Sequence, residues 1–438
     1  MLVDKTTLQD ISIFHPNEEQ SVFHYLNHAK TNGGREYLKW ILANPLSSIE
    51  AIKDTQHTIQ HLVKVSHQLP ETITNGTIMV IESFFDTIVN TYPAHPNIFN
   101  SHFYRLFSAP DFSVTRYTVE HFISFVKTLR NIATILETGA NSKEVKMWCS
   151  KINLLLQRPM LQAMLQWTNE KNIPPTAVLV FGKYLRLHFK QQAFELVDVY
   201  SRLDAYTSLA YDCKKYDLAF PVIEPSDEPY IKANGMYHLL LETPVSYDLV
   251  LDQNTNFLFL TGANMAGKST FIKAVGIAVY LAHIGMGVPA KDMELSLFDG
   301  LLTNIQVADN IVKGESYFFN EVQRIKRTVE KISDGKKWLI LIDELFKGTN
   351  VQDAMKCSIE VIEGLHKMPN GLFILSTHLY EIADSLRQHP NISFRYFETG
   401  VAQGQLVFSY QLQEGVSNDR LGYLILKREG VVDMLKKL

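Results

Sequence analysis

The chain holds 438 residues, 46% hydrophobic and 20% charged, with 42 Lys and Arg against 46 Asp and Glu. This is the make-up of an ordinary soluble protein with a large buried core and two or three domains. No apolar stretch approaches the ~20 residues that span a bilayer, and Met1 to Thr7 lack the pattern of a secretory leader, so a cytoplasmic protein without a membrane partner is expected. Residues 1–240 carry 22 basic against 23 acidic side chains, and the remainder 20 against 23. Neither half is basic, and a nucleic-acid role would need a local patch of Lys and Arg. Cys149, Cys213 and Cys357 are odd in number and far apart, which argues against a disulfide framework or a zinc site and suggests buried thiols.

In chain order, the first 240 residues read as mainly helical. Ser21 to Ala43, Val119 to Leu136, Leu161 to Glu170 and Tyr184 to Tyr216 carry apolar residues at spacings of three and four. Breakers fall at Thr91 to Pro96, Thr138 to Ser142, Pro174-Pro175 and Phe220 to Pro229. The last cluster, with Pro221, Pro225 and Pro229, sets the expected boundary between a helical domain over 1–230 and a second domain over 231–438. Beyond it, strands are predicted at Asn256 to Leu260, Trp338 to Ile342, Leu372 to Ser376, Ile392 to Phe397 and Leu406 to Gln411. Alternating with helical stretches, they predict a nucleotide-binding α/β domain, and the fold class expected is α plus α/β.

Four motifs carry chemistry. Gly262-Ala263-Asn264-Met265-Ala266-Gly267-Lys268-Ser269-Thr270 follows the apolar run Phe257 to Leu260, as a phosphate-binding P-loop does. A polyphosphate must be wrapped by backbone N–H groups, and small residues let the chain approach it. Lys268 opens the next helix and can reach the terminal phosphates, while Ser269 can place its hydroxyl on Mg²⁺. Trp338 to Glu344 is an apolar strand ending in two acids, the form of a Walker B strand. Asp343 can hold Mg²⁺ beside Ser269, and Glu344 can polarise the water that attacks the γ-phosphate. His378 follows the strand Phe373 to Ser376 and stands where a histidine could contact the γ-phosphate or that water. Gly314 to Glu321 opens a helix and, with the other three motifs, looks like the signature of ABC-type ATPases, in which Ser316 completes the ATP site of a partner subunit.

Thr261 to Thr270, with Asn264-Met265 before Gly-Lys-Ser-Thr, resembles the P-loop of the MutS family. Asp343-Glu344-Leu345-Phe346-Lys347-Gly348-Thr349-Asn350 resembles that family's Walker B strand and following loop, and Ser376-Thr377-His378 its histidine motif. Lys30 to Arg35, with Leu38, Leu42, Asn44-Pro45-Leu46, Ile49 and Gln56, looks like the start of the helical core that MutS proteins use as a lever. Leu203-Asp204 through Pro221 looks like its end. Departures accompany the matches. The sequence begins where the core would begin, without the mismatch reader and connector, and shows no β-rich clamp between Gly139 and Pro175. It stops near where a helix-turn-helix tail would start, with no Smr-type nuclease. Phe346 and Lys347 stand for the family's Gly-Arg, Tyr317 for Thr, and Pro244-Val245 where an aromatic helps hold adenine.

The resemblance implies an ATP-hydrolysing, Mg²⁺-dependent homodimer. Residues 262–270 would hold the nucleotide, with Thr270 at the α-phosphate. Ser269 and Asp343 would hold Mg²⁺, Glu344 would position water, Lys268 and His378 would contact the γ-phosphate, and Ser316 would act across the dimer. Gln306 reads as a Q-loop contact or, more simply, as a surface residue. Such a protein would bind structured or branched DNA and signal to a repair or recombination protein. The alternative is an ATP-driven module acting on a protein or ribonucleoprotein without gripping DNA. A metabolic kinase fits less well, because Glu344 and the signature suit hydrolysis better than transfer.

Overall fold

The computed structural model describes residues 1–168, 172–305, 317–402, 405–417 and 431–435. They form two compact units. One is mixed α/β and gathers Met1–Tyr25, Asn44–Ile52 and Tyr216–Leu438; the other is helical and comprises Leu26–Ala43 and Lys53–Lys215.

The chain opens with strand β1 (Leu2–Val3) and helices α1 (Lys5–Asp10) and α2 (Val22–Tyr25). Next come α3 (Asn32–Ala43), α4 (Ile49–Val65), α5 (Asn75–Asp86), α6 (Ile98–Phe107) and α7 (Ala109–Glu137). Helices α8 (Lys143–Leu156), α9 (Pro159–Leu165), α10 (Pro175–His188) and α11 (Lys190–Lys215) follow. The long α7 exists because Val119, Phe122, Ile123, Val126, Leu129, Ala133 and Leu136 repeat at helical spacing and are all fully buried. Between Gly139 and Pro175 the described residues form α8 and α9 and no strand.

Two expected helices are interrupted. Tyr184 to Tyr216 breaks at Phe189, with no Pro or Gly to announce it. The fully buried Phe189 ring stacks on Tyr184 at 5.7 Å and lies under the Arg158 guanidinium, so core packing of one ring turns the chain. Ser21 to Ala43 breaks before α3, where buried Asp204 of α11 accepts hydrogen bonds from the backbone N–H of Lys30 (3.0 Å) and Thr31 (2.8 Å) and from the Thr31 hydroxyl. Gly34 lets the two helices meet, since a Cβ there would lie 2.2 Å from Asp204 Oδ2. The sequence segments resembling the two ends of the lever are therefore in direct contact.

In the mixed unit the strands are β2 (Val222–Glu224), β3 (Ile231–Met236), β4 (Tyr247–Leu251), β5 (Phe257–Gly262), β6 (Asp292–Ser296) and β7 (Gly300–Asn304). They continue with β8 (Trp338–Asp343), β9 (Gly371–Ser376), β10 (Ile392–Ala402) and β11 (Gln405–Glu414). The main sheet has the order β1-β7-β8-β9-β5-β10-β11, parallel throughout except for the β10–β11 hairpin. All five predicted strands lie in it. Helices α12 (Lys268–Ile284), α13 (Tyr317–Ile332), α14 (Val351–Leu365) and α15 (Ala383–Leu386) belong to the same unit.

The second sheet, β2-β6-β3-β4, was not anticipated. Its strands are short, and β3 and β4 alternate buried with exposed residues, a weaker signal than the apolar runs of the main sheet. The boundary drawn at 230 passes between β2 and β3, two members of this one sheet, so the contacts place the division at Lys215/Tyr216. Residues 1–25 also join the mixed unit rather than the helical one. β1 pairs with β7, and Asp10, 2% exposed, accepts hydrogen bonds from Thr303 Oγ1 (2.7 Å), Ile305 N (3.1 Å) and Arg324 Nη2 (2.9 Å). Cys149 and Cys213 are buried, whereas Cys357 is only partly so. No helix among the described residues is long and apolar enough to cross a membrane.

Candidate active site

Parallel strands leave their carboxyl ends at one edge of a sheet, and the loops there are the usual place for a ligand. Strands β5, β9 and β8 are neighbours, and register aligns Leu260 of β5 and Asp343 of β8 with Ser376 of β9. The three motif loops after these strands therefore converge.

The loop after β5 takes the shape its glycines allow. Gly262 and Gly267 have φ of 139° and 111°, and Met265 is also left-handed at 70°. A Cβ on Gly262 would come within 3.2 Å of Phe397, so the bend needs glycine both for its backbone angle and for space. Gly267 caps the N-terminus of α12, which carries Lys268, Ser269 and Thr270 in its first turn.

Lys268 is 6% exposed and its ammonium donates to the carbonyls of Gly262 (2.8 Å) and Ala263 (3.0 Å). Burial pushes it down to about 8, against the pull of Glu344 and Asp343. A buried ammonium within a cradle of backbone is suited to an anion.

The acids stand opposite. Asp343 accepts a hydrogen bond from Ser269 Oγ at 2.5 Å on one carboxylate oxygen and from Ser376 Oγ on the other. This brings the two expected metal ligands together. Glu344 is left-handed at φ 64°, its N–H donating to the Ser376 carbonyl at 3.0 Å. A non-glycine residue in that region is strained by on the order of 1–3 kcal/mol, a strain found mostly where a side chain must be aimed. Glu344 Oε1 lies 2.6 Å from His378 Nε2, out of line for an ideal hydrogen bond, and Oε2 lies 3.2 Å from Lys347 Nζ. Burial pushes the Glu344 carboxyl up, but His378 and then Lys347 outweigh it and hold it at about 2.

A cavity of about 440 Å³ adjoins these groups. Asn264, Met265, Gly267, Lys268, Ser269, Thr270 and Glu344 line one part of it; Val245 and two tyrosines, Tyr247 and Tyr410, contribute apolar surface. Neither tyrosine was singled out from the sequence: Tyr410 falls inside the predicted strand Leu406 to Gln411, and Tyr247 opens β4 of the sheet that was not anticipated. The backbone gives Tyr410 away, with φ 53° inside β11.

Ser316 and Gln306 lie outside the described residues, as do Gly314 and Glu315. The rest of the signature opens α13. There Glu321, 5% exposed and also unforeseen, accepts the backbone N–H groups of Lys347 and Gly348 at 3.1 Å each. A Cβ on Gly348 would lie 2.7 Å from Phe318 N, so the start of α13 is locked to the loop that carries Glu344. In that loop Phe346 occupies a left-handed position, φ 57°, where the resemblance leads one to expect glycine. Burial of its ring to 4% exposure, against Phe318 at 5.7 Å, offsets the strain.

A family model described as MutS domain V matches residues 258–434, from β5 past Tyr410. The DNA mismatch repair protein MutS of Streptococcus sanguinis is 31% identical over 264 residues, covering 58% of this chain and 30% of that protein. The MutS protein of Oceanobacillus iheyensis is 30% identical over 241 residues, covering 53% of this chain and 27% of its own length. The chain belongs to the MutS family. Its match spans less than a third of the length of these MutS relatives. The domain V match contains the loops bearing Lys268, Asp343, Glu344 and His378, which are the loops brought together at the sheet edge.

Proposed function

We propose that the mixed unit is a Mg²⁺-dependent, ABC-type ATPase of MutS kind, that the helical unit is its lever, and that the protein acts on structured DNA in repair or recombination. The observation that carries this reading is the convergence of Lys268, Ser269 and Glu344 on one cavity, with Asp343 held to Ser269 by its hydrogen bond. The residues suit the ligands: a buried ammonium and a glycine-built cradle for phosphates, and a hydroxyl and a carboxylate as hard oxygen donors for Mg²⁺. Mg²⁺, when bound by Ser269 and Asp343, would neutralise charge on the phosphate oxygens.

In this mechanism Gly262 to Ser269 wrap the phosphates with backbone N–H groups, Lys268 exchanges its loop carbonyls for phosphate oxygens, and Thr270 meets the α-phosphate. Glu344, ionised and aimed by its strained backbone, orients the attacking water; His378 reports the γ-phosphate to Glu344. Tyr410 and Tyr247 take the place of the aromatic that Pro244-Val245 does not supply and hold the adenine. Tyr410→Ala is expected to raise the KM for ATP about tenfold, the ~1.4 kcal/mol of one lost ring contact, with kcat little changed. Steady-state phosphate release measures both. Two copies would complete each other's sites through Ser316, in a two-fold homodimer.

The DNA reading is tested by electrophoretic shift with duplex, mismatched, junction and RNA substrates, with and without ATP, across a salt series. Binding to junction or mismatched DNA that responds to ATP and weakens with salt is expected. The near-balanced charge of residues 1–240 favours neither this reading nor the second, an ATP-driven module working on a protein or ribonucleoprotein. Retained ATPase activity with no binding to any DNA would select it.

A further inference from the structure

Helix α6 in the helical unit is amphipathic in the wrong sense. Its inward face is polar: Ser101 is fully buried and Tyr104 is 8% exposed. Its outward face carries Phe99 (88% exposed), Phe103 (63%), Leu106 (77%) and Phe107 (72%), with Ile98 (68%) beside them. Positions 99, 103, 106 and 107 follow the i, i+4, i+7, i+8 spacing of one helical stripe. This is no frayed end. Asn97 and Asn100 form a reciprocal cap at the N-terminus, Tyr104 donates to the Asn90 carbonyl and stacks on Tyr92, and Arg105 folds over the Phe112 ring of α7. Phe103 and Phe107 already stack on one another, 4.1 Å between centroids. The helix is thus pinned in place with its apolar stripe in water.

We propose that this stripe is a self-association surface, on which α6 of one copy packs against α6 of a second copy about a two-fold axis. Five apolar side chains of roughly 150–200 Å² each, about two-thirds or more exposed, present on the order of 700 Å². That exceeds the apolar patch of an ordinary monomer, and two such faces bury about 1,400 Å², within the size of a specific, stable interface. Charge permits the pairing. No acidic residue occurs between Asp86 and Asp111, and Arg105, the sole Lys or Arg in that interval, is turned onto α7. Two copies can therefore meet without opposing like charges. The same scarcity of cations disfavours a lipid surface, which binds helices whose polar face is rich in Lys and Arg. This contact is separate from the nucleotide sites and needs no ATP.

Sedimentation velocity of the full chain without nucleotide, over a range of micromolar concentrations, tests it. The wild type is expected to dimerise, and the Phe99→Asp, Phe103→Asp double variant to dissociate at least about a hundredfold more readily, since such central aromatics dominate binding. Its circular dichroism should match the wild type, both side chains being in solvent. Phe103→Cys under mild oxidation should give a reducible cross-linked dimer, whereas Leu154→Cys, equally exposed on α8, should not. A wild type that stays monomeric, or a dimer indifferent to the double substitution, overturns the proposal. So does a monomer that instead floats with anionic vesicles, which assigns the stripe to lipid. Because no nucleotide is present, failure of the ATPase reading leaves these outcomes unchanged.

Discussion

Lys268→Ala is expected to lower ATP turnover at least about a thousandfold and to weaken nucleotide affinity with it, because the only ammonium inside the loop is lost. Lys268 is buried and already donates two hydrogen bonds to loop carbonyls, so its side chain is pre-set at the place a terminal phosphate would take. Phosphate release and titration calorimetry measure the two effects. The variant should melt no lower than the wild type at neutral pH. Burial disfavours the ammonium in the folded protein, so removing it relieves the fold rather than weakening it. The same depression gives a pH test: as pH rises through about 8 the free protein loses this charge, and ATP affinity should fall. Turnover close to wild type in Lys268→Ala would place the nucleotide elsewhere.

Glu344→Gln is expected to reduce kcat by about a hundred- to a thousandfold while KM stays near the wild-type value, since the amide keeps the shape but cannot polarise water. ATP should then persist on the protein, and an ATP-bound dimer should accumulate on gel filtration. Stability changes as well, with a defined sign. The carboxyl is held at about 2 against an ordinary 4.5, so its ionised form stabilises the fold above 4.5 and that contribution is lost as pH falls through about 2. Glu344→Gln should therefore melt below the wild type at neutral pH, with the gap closing in acid. An unchanged hydrolysis rate would remove Glu344 from the water-positioning role.

The parts of the site that were legible in the sequence are those whose chemistry forces a local signature. Gly262 and Gly267 must be glycine for left-handed backbone, and Asp343-Glu344 must end a buried strand, so short strings betray them. Ser376 to His378 was legible from its place after the strand that follows Walker B, but its meeting with Glu344 depends on β9 lying between β5 and β8, a neighbour relation that no single-strand pattern contains. Tyr410 and Glu321 were missed for the same reason. The first faces the phosphate loop from a strand about 140 residues later in the chain, and the second acts through backbone N–H groups, which any residue could offer. Among the helices, periodicity located α7 and most of α11 but not the break at Phe189, where packing of one ring overrides an unbroken helical pattern. Phe346 shows the converse, a residue whose own preference opposes its backbone and is overruled by burial beside Phe318.

Strand β1 has a consequence for the order of events during synthesis. Leu2 and Val3 pair with Gly300 and Leu301, and Asp10 waits for Thr303, Ile305 and Arg324. At a ribosomal pace of about 5–20 residues per second, the first segment of the chain stays without its partners for roughly 15–60 s. During that interval it is an unsatisfied strand edge and a carboxylate with no site. A nascent chain arrested before residue 300 should therefore leave residues 2–10 open to proteases, and release past Arg324 should protect them.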